Sequence, residues 1–182
     1  MEEFKKIVLA DLHRAKRSSF IRAMLQLQVF KFVFYLRLCK FTKTNRNPLI
    51  RMIYPFARLM YSLNKNQQAI EISQHADIGP GLFLNHGFGI VVNGHTKIGR
   101  NCTISTGVVL GETAKGTPII GDDVFIMAGA KIIGNIRVGN NVMIGANCVV
   151  TKDVPDNAFV AGIPGKIIRY NKPASEEEPA IR

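Results

Sequence analysis

The residues of this chain best suited to chemistry lie between Leu84 and Gly89, which reads Leu-Asn-His-Gly-Phe-Gly. A neutral imidazole can take a proton from a hydroxyl group, so His86 is a candidate general base. Gly87 and Gly89 leave space for a ligand close to the backbone. The alternative is a solvent-exposed histidine at a turn, without a catalytic role.

A strict repeat of six residues predicts the structure that must position this histidine. A period of six fits neither a helix nor a single strand, so it indicates a repeat of a whole structural unit. Short strands joined by Gly-, Asn- and Asp-rich turns then form a parallel β-helix, with three hexads closing a coil of about 18 residues. The repeat is unbroken at Ile120, Ile126, Ile132, Val138, Ile144 and Val150.

The same period is present upstream but slips twice. An eight-residue step from Ile90 to Ile98 predicts a bulge of two residues at 93–96. A ten-residue step from Leu110 to Ile120 predicts that four extra residues leave the prism within 111–118. We expect functional residues beside these two interruptions. Residues expected at the corners, where Asn and Asp tolerate left-handed backbone angles, are Asn101, Asp122, Asp123, Asn140 and Asn141.

Residues 1–69 contain no hexad and are predicted to be helical, chiefly at 20–40 and 49–63. They carry 14 of the 24 Lys and Arg and only three of the 13 acidic residues, so they hold the whole net charge of +11. Charged side chains interrupt the apolar run, so no membrane span or signal peptide is predicted. Two interpretations remain open: the helices only pack on the prism, or they also contact an anionic membrane peripherally.

Three domains are expected: a basic helical segment at 1–69, a β-helix at 70–168 and a flexible tail at 169–182. The β-helix is close to neutral, which argues against nucleic-acid binding. Cys102 and Cys148 fall on inward positions and are predicted to be small core residues, and no cysteine pair has metal-ligand spacing, so no metal is expected. Cysteines of this kind favour a reducing compartment. We expect a cytoplasmic protein, at most peripheral at the inner membrane face.

The order and spacing of several motifs resemble those of the serine acetyltransferases. These motifs are the His-Gly-Phe-Gly-Ile-Val-Val run at 86–92, the Leu-Gly-Glu-Thr-Ala-Lys-Gly loop at 110–116, the Ala-Gly-Ala-Lys-Ile-Ile-Gly run at 128–134 and Ala-Gly-Ile-Pro at 161–164. The resemblance implies a left-handed parallel β-helix, acetyl-CoA as co-substrate, and a homotrimer with active sites between subunits.

The resemblance also implies roles for individual residues. His86 corresponds to the family's catalytic base, and Glu71 occupies the position, fifteen residues earlier, of the acid that orients it. We expect the hexad 66–71 to lie directly under 84–89, so that the Glu71 carboxylate supports the imidazole. The alternative for Glu71 is a solvated acid at a strand edge. The residues expected to contact the cofactor are Gly111, Ala128 and Ala146 along the pantetheine arm, and Lys152, Ile163, Pro164 and Lys166 near the adenine and phosphates.

The expected acceptor site departs from the family. Asn85 replaces an aspartate, and Gly116 and Thr117 replace an Arg-His pair, so the side chains that hold a zwitterion's two charges are missing. The pattern is closer to the colanic-acid-type polysaccharide acetyltransferases. Asn85, Phe88 and Thr117 are therefore expected to bind a sugar hydroxyl. The alternatives are a serine O-acetyltransferase of cysteine biosynthesis and, in a different class, a non-catalytic hexapeptide-repeat scaffold.

Overall fold

The computed structural model describes residues 1–16 and 19–170, and its N-terminal part is helical. The run predicted as one helix from Phe20 breaks at Leu27, whose backbone is extended (φ −109, ψ 99). Asn47 caps the fourth helix, since its side chain accepts a hydrogen bond from the Leu49 N–H at 2.9 Å. The helices in the described residues are α1 (Glu2–Arg14), α2 (Phe20–Gln26), α3 (Gln28–Thr44), α4 (Pro48–Arg51) and α5 (Tyr54–Gln68).

The remainder is a parallel β-helix with three faces, which confirms the fold predicted from the hexads. Face A contains β1 (Glu71–Ile72), β4 (Val91–Val92), β7 (Val109–Gly111), β10 (Lys131–Ile133) and β13 (Val149–Val150). Face B contains β2 (Asp77–Ile78), β5 (Lys97–Ile98), β8 (Ile119–Ile120) and β11 (Arg137–Val138). Face C contains β3 (Phe83–Asn85), β6 (Thr103–Ser105), β9 (Phe125–Ile126), β12 (Met143–Ile144), β14 (Ala158–Ala161) and β15 (Lys166–Tyr170).

Stacked aliphatic side chains fill the prism. On face A the inward positions are Ile72, Val92, Leu110, Ile132 and Val150, all at most 3% exposed. Burial of one such side chain contributes roughly 1.5–3 kcal/mol. Alternate residues of each strand must then point outward. The outward row on face A, in register from the first coil to the fifth, is Glu71, Val91, Val109, Lys131 and Val149.

The eight-residue step lies at a different corner from the one predicted. Ile72 pairs with Val92, and Val92 pairs with Leu110, so the step runs from Leu84 to Val92. Ile90 fills the buried position two residues before Val92, and its carbonyl accepts from the Glu71 N–H at 2.7 Å. The extra residues therefore fall at 86–90 and include His86. The prediction of a bulge at 93–96 was wrong, because Ile90 and Val92 are both aliphatic and either could anchor the hexad.

The second predicted interruption, the ten-residue step, agrees with the structure. Face A ends its third strand at Gly111 and face B resumes at Ile119, with Thr113 paired to Gly116 in a projecting hairpin. Asn101, Asp123 and Asn141 have φ of 56, 57 and 53, which confirms their left-handed corners.

The C-terminal hairpin extends the ordered structure beyond the predicted tail boundary. Strand β15 pairs antiparallel with β14 and continues to Tyr170, so residues 169 and 170 belong to a strand. The rest of the predicted tail, 171–182, lies outside the described residues. Cys102 and Cys148 are fully buried, which confirms their role in the core, and burial raises the pKa of the Cys102 thiol to about 12.

A buried ion pair joins the helices to the first coil. Arg37 of α3 donates from Nε to Asp11 Oδ2 of α1 at 2.9 Å, and the two side chains are only 6% and 2% exposed. Asp11 Oδ1 also accepts from the N–H groups of Gly81 and Leu82, both at 2.8 Å. Arg37 donates in turn to the Gly79 carbonyl at 2.6 Å. Burial raises the pKa of the Asp11 carboxyl, while Arg37 and the two N–H groups oppose that rise.

Removal of one partner of this pair should strongly destabilise the protein. Asp11→Ala leaves the Arg37 charge buried and unpaired, which typically costs about 3–5 kcal/mol. We expect a large fall in the thermal unfolding temperature, and a smaller fall for the double variant Asp11→Ala/Arg37→Met, which buries no lone charge. Lys40→Gln is the matched control, because it breaks an exposed pair with Asp77 and should shift unfolding little. If Asp11→Ala unfolded at the same temperature as Lys40→Gln, the ion pair would not stabilise the contact between the helices and the first coil.

Candidate active site

His86 lies on the edge of the prism where face C turns into face A, here called the His86 edge. Successive coils are bonded along it: the N–H groups of Gly107, Gly129 and Asn147 donate to carbonyls one coil below, each at 2.9 Å. Those carbonyls belong to Phe88, Thr106 and Ala128. This edge therefore carries four residues predicted for the site, with Ala128 and Ala146 two and three coils above His86 and Phe88.

The insertion at 86–90 holds the histidine away from the core. His86 has φ of 49, a left-handed conformation that is uncommon for residues other than glycine but that histidine adopts more often than most. Its imidazole is exposed, and Phe88 beside it is 62% exposed. Asn85 ends β3 opposite Ser105, and with His86 it borders an apolar cavity of about 290 Å³ beneath the corner, formed with α2 and α3. The imidazole is therefore accessible to a ligand.

Glu71 lies on face A, but not in the stacked position predicted for it. Its register partner is Val91, and α5 occupies the chain up to Gln68, so 66–71 is not a hexad under 84–89. The Glu71 carboxylate accepts from Lys65 Nζ at 3.0 Å, and no hydrogen bond joins it to His86 in the described structure. The predicted stacking was wrong because the two extra residues lengthen this coil from 18 residues to 20, so that Glu71 pairs with Val91. Glu71 still stands at the foot of the face that begins at the His86 edge.

The opposite edge of face A, where it turns into face B, carries Gly111 and the projecting hairpin; we call it the hairpin edge. Thr117 donates its hydroxyl proton to the His95 carbonyl at 3.0 Å. Glu112 accepts from Asn93 Nδ2 at 2.8 Å and lies 3.6 Å from His95 Nδ1. Thr117 and Gly111 are thus separated from His86 by the width of face A, and one chain does not bring them together.

The upper end of face A is closed by the C-terminal turn. The Val149 N–H donates to the Gly162 carbonyl at 3.2 Å, and the Gly165 N–H donates to the Val149 carbonyl at 2.8 Å. Lys152, Pro164 and Lys166 line one cavity of about 180 Å³ beside this turn, and Ile163 is 74% exposed. Four strand spacings of about 4.8 Å, roughly 19 Å in total, separate this end from Glu71.

A polar cavity of about 740 Å³ covers the lower half of face A. Its charged lining residues are Arg58 and Lys65 from α5, Glu71 at the foot of the face and Glu112 on the hairpin edge, with His75 nearby. Sequence reasoning missed Arg58 and Lys65 as site residues, since no periodic signal places α5 against face A. It also missed Glu112, which directly follows β7. No group of three His, Cys, Asp or Glu positioned for a metal ion occurs in residues 1–16 and 19–170.

Sequence comparisons identify the repeat. Residues 117–152 match the model described as bacterial transferase hexapeptide (six repeats). Residues 95–112 match a hexapeptide repeat of succinyl-transferase. A serine acetyltransferase of Staphylococcus xylosus is 47% identical over 122 residues, which are 65% of this chain and 56% of that relative. The chain thus spans little more than half the length of the curated relative.

Solved structures extend the similarity to the whole fold. Serine acetyltransferase from Brucella abortus strain S19, in complex with coenzyme A, aligns with a TM-score of 0.79 and 33% identity over 93% of this chain and 69% of its own. Soybean serine acetyltransferase complexed with serine gives 0.76 and 30% identity over 92% and 70%. The chain belongs to the serine acetyltransferase family of hexapeptide-repeat transferases. The polysaccharide acetyltransferase branch favoured by the acceptor residues receives no support from these relatives.

Proposed function

We propose that this protein transfers an acetyl group from acetyl-CoA to the hydroxyl group of serine. The observation that carries the proposal is face A: an exposed histidine borders its foot, and a cavity lined by Lys152 and Lys166 lies beside the turn at its upper end. This arrangement suits an acyl transfer from a long thioester. The relatives support both substrates, since one is solved with coenzyme A and another with serine. The non-catalytic scaffold has no comparable support.

In the proposed reaction His86 acts as the general base. Its imidazole takes the proton of the acceptor hydroxyl, whose oxygen attacks the thioester carbonyl of acetyl-CoA. Backbone N–H groups beside the carbonyl stabilise the oxyanion of the tetrahedral intermediate. The carbon–sulfur bond then breaks, and the imidazolium returns the proton to the departing thiolate. Glu71, at the foot of face A and paired with Lys65 at 3.0 Å, is proposed to support the site from a distance and not by a hydrogen bond to His86.

The cofactor is proposed to lie along face A. Ala128 and Ala146 on the His86 edge and Gly111 on the hairpin edge have small or absent side chains, so the pantetheine arm can approach the backbone. Lys152 and Lys166 supply positive charge for the phosphates beside the exposed Ile163 and Pro164.

A trimer would complete the site. Thr117 and His86 lie on opposite edges of face A, so a small acceptor that contacts both must be bound where the His86 edge of one subunit meets the hairpin edge of another. We therefore propose a homotrimer with its active sites between subunits.

A second candidate acceptor is a sugar hydroxyl. Asn85 is neutral and ends β3 beside His86, Gly116 has no side chain, and the Thr117 hydroxyl is bonded to a backbone carbonyl. None of these three carries a charge that could form an ion pair with the carboxylate or ammonium of serine. The exposed ring of Phe88 offers a surface on which a pyranose could stack.

Acetyl-CoA consumption with serine and with a panel of glycosides should distinguish the two acceptors. We expect serine to give a kcat/KM of about 10⁴ M⁻¹s⁻¹ or more, the lower end of ordinary enzymes. Turnover of a glycoside at such a rate, with serine inert, would overturn the serine proposal in favour of the sugar.

His86→Asn should reduce kcat at least a hundredfold, because loss of a general base typically costs 10²–10⁴ in rate. Asparagine tolerates the left-handed conformation at this corner, so the unfolding temperature should change little. Steady-state kinetics and thermal unfolding measure both effects. Near-normal turnover in the folded variant would exclude His86 as the base.

Peripheral membrane contact is a further proposal for the helical segment. The apolar side chains of Leu49, Met52, Phe56, Leu59 and Leu63 are between 49% and 76% exposed along α4 and α5. Residues 12–70 contain no Asp or Glu. Apolar surface on a basic segment suits an anionic lipid surface. No helix in the described parts of the chain is long and apolar enough to cross a membrane.

Cosedimentation with vesicles containing phosphatidylserine should therefore be clear at low salt and fall steeply as ionic strength rises. Phe56→Gln/Leu59→Gln should weaken vesicle binding, because it removes apolar side chains from the exposed surface. Both side chains are exposed, so the change leaves the core intact. Absence of binding to anionic vesicles at low salt would leave helical packing as the only role of this surface.

A further inference from the structure

We infer that the acceptor's two charged groups are bound in the polar cavity on face A, with Arg58 holding the carboxylate and Glu112 the ammonium. The inference rests on the proposed function and identifies side chains that replace the charges missing from Asn85, Gly116 and Thr117. A zwitterion is bound best where a cation and an anion lie within reach of its two charged groups, because charge-assisted hydrogen bonds are stronger than neutral ones. This cavity provides both.

The position of Arg58 follows from the way α5 packs on the first coil. The helix runs antiparallel to β1: Lys65 bonds to Glu71, Tyr61 donates to the Ile72 carbonyl, and Tyr54 donates to Gln74. Burial raises the pKa of Tyr61 to about 12, so this phenol remains a donor. Arg58 lies between the two tyrosines along the helix and therefore stands beside 72–74, towards the hairpin edge.

Arg58 is the cavity cation that remains available for a ligand. Its side chain is exposed, and no hydrogen bond or ion pair engages it within the described residues. Lys65 is bonded to Glu71. Lys131, further up the outward row of face A, donates to the carbonyls of Gly107 and Gly129 at 2.8 and 3.1 Å. A guanidinium also matches a carboxylate geometrically, since it can donate two parallel hydrogen bonds.

Glu112 supplies the opposite charge from above. It follows β7 on the hairpin edge, two coils higher than 72–74, and its side chain is 43% exposed. Asn93, in the intervening coil, donates from Nδ2 to Glu112 Oε2 at 2.8 Å, and this hydrogen bond fixes the carboxylate. Two coil spacings amount to about 10 Å between backbones. Long side chains from the two ends can therefore converge on one small zwitterion between them. This position is at the hairpin edge, so in the proposed trimer the hydroxyl would face the His86 edge of a neighbouring subunit.

The test compares serine with serinamide, which retains the hydroxyl and ammonium but lacks the carboxylate charge. Wild-type enzyme should prefer serine by about tenfold or more in kcat/KM, as expected for a charge-assisted hydrogen bond. Arg58→Gln should raise KM for serine and bring that preference close to one, with KM for acetyl-CoA unchanged. Arg58→Lys should restore part of the preference, since it retains the charge without the paired donors.

The matching test of Glu112 uses 3-hydroxypropionate, which lacks the ammonium. Glu112→Gln should reduce the preference for serine over 3-hydroxypropionate and leave the preference over serinamide intact. Arg51→Gln is the control, because Arg51 is an exposed cation on α4 outside this cavity and should alter neither preference.

The outcomes separate this inference from the proposed function. If the wild-type enzyme acetylates serine and Arg58→Gln keeps the same preference for serine over serinamide, the inference is overturned and the proposed function stands. A higher KM for acetyl-CoA in that variant would instead assign Arg58 to the cofactor and also overturn it. A folded wild-type enzyme that does not acetylate serine would contradict the proposed function, and the inference with it.

Discussion

The structure depends on the constraint that every coil must present the same inward positions to the one below it. Parallel strands pair along each face only if an aliphatic residue returns to the same place after three hexads. Any residue added to a coil must therefore be placed outside the prism, at a corner. The chain adds residues at two corners, and both border face A. One places His86 in solvent and the other projects the hairpin at 112–118.

This constraint explains what could be predicted from the sequence. The unbroken hexads from Ile120 to Val150 determined the fold, because no other common structure has a six-residue period. The ten-residue step was located correctly, since 112–117 contains no Val, Leu or Ile that could serve as an alternative anchor. The eight-residue step was misplaced because Ile90 and Val92 are equally suitable as the inward residue. Only pairing with Ile72 below and Leu110 above identifies Val92 as the anchor.

The helical segment was much less predictable for physical reasons. Its contacts with the prism are specific and non-repetitive, such as Asp11 with the N–H groups of Gly81 and Leu82. A polar residue in a helix carries no signal of a partner 70 residues away. The same is true of Lys65, whose ion pair with Glu71 occupies the carboxylate that was expected to face His86. The spacing of fifteen residues between Glu71 and His86 indicated the resemblance to the family. It did not predict which residues stack on neighbouring coils.

The arrangement separates the proposed catalytic base from the side chains proposed to bind the acceptor. The prism determines the positions of His86 and the proposed cofactor surface, and these positions are constrained by the repeat. The proposed handles for the acceptor belong to α5 and the hairpin, which the repeat does not constrain. Opposite charges 4 Å apart attract by about 1 kcal/mol in water but about 4 kcal/mol near a protein surface of lower effective dielectric. A cation that lines the cavity, such as Arg58, therefore attracts a carboxylate more strongly than a cation surrounded by bulk water. Changes in α5 could alter acceptor preference while the prism and its base remain unchanged.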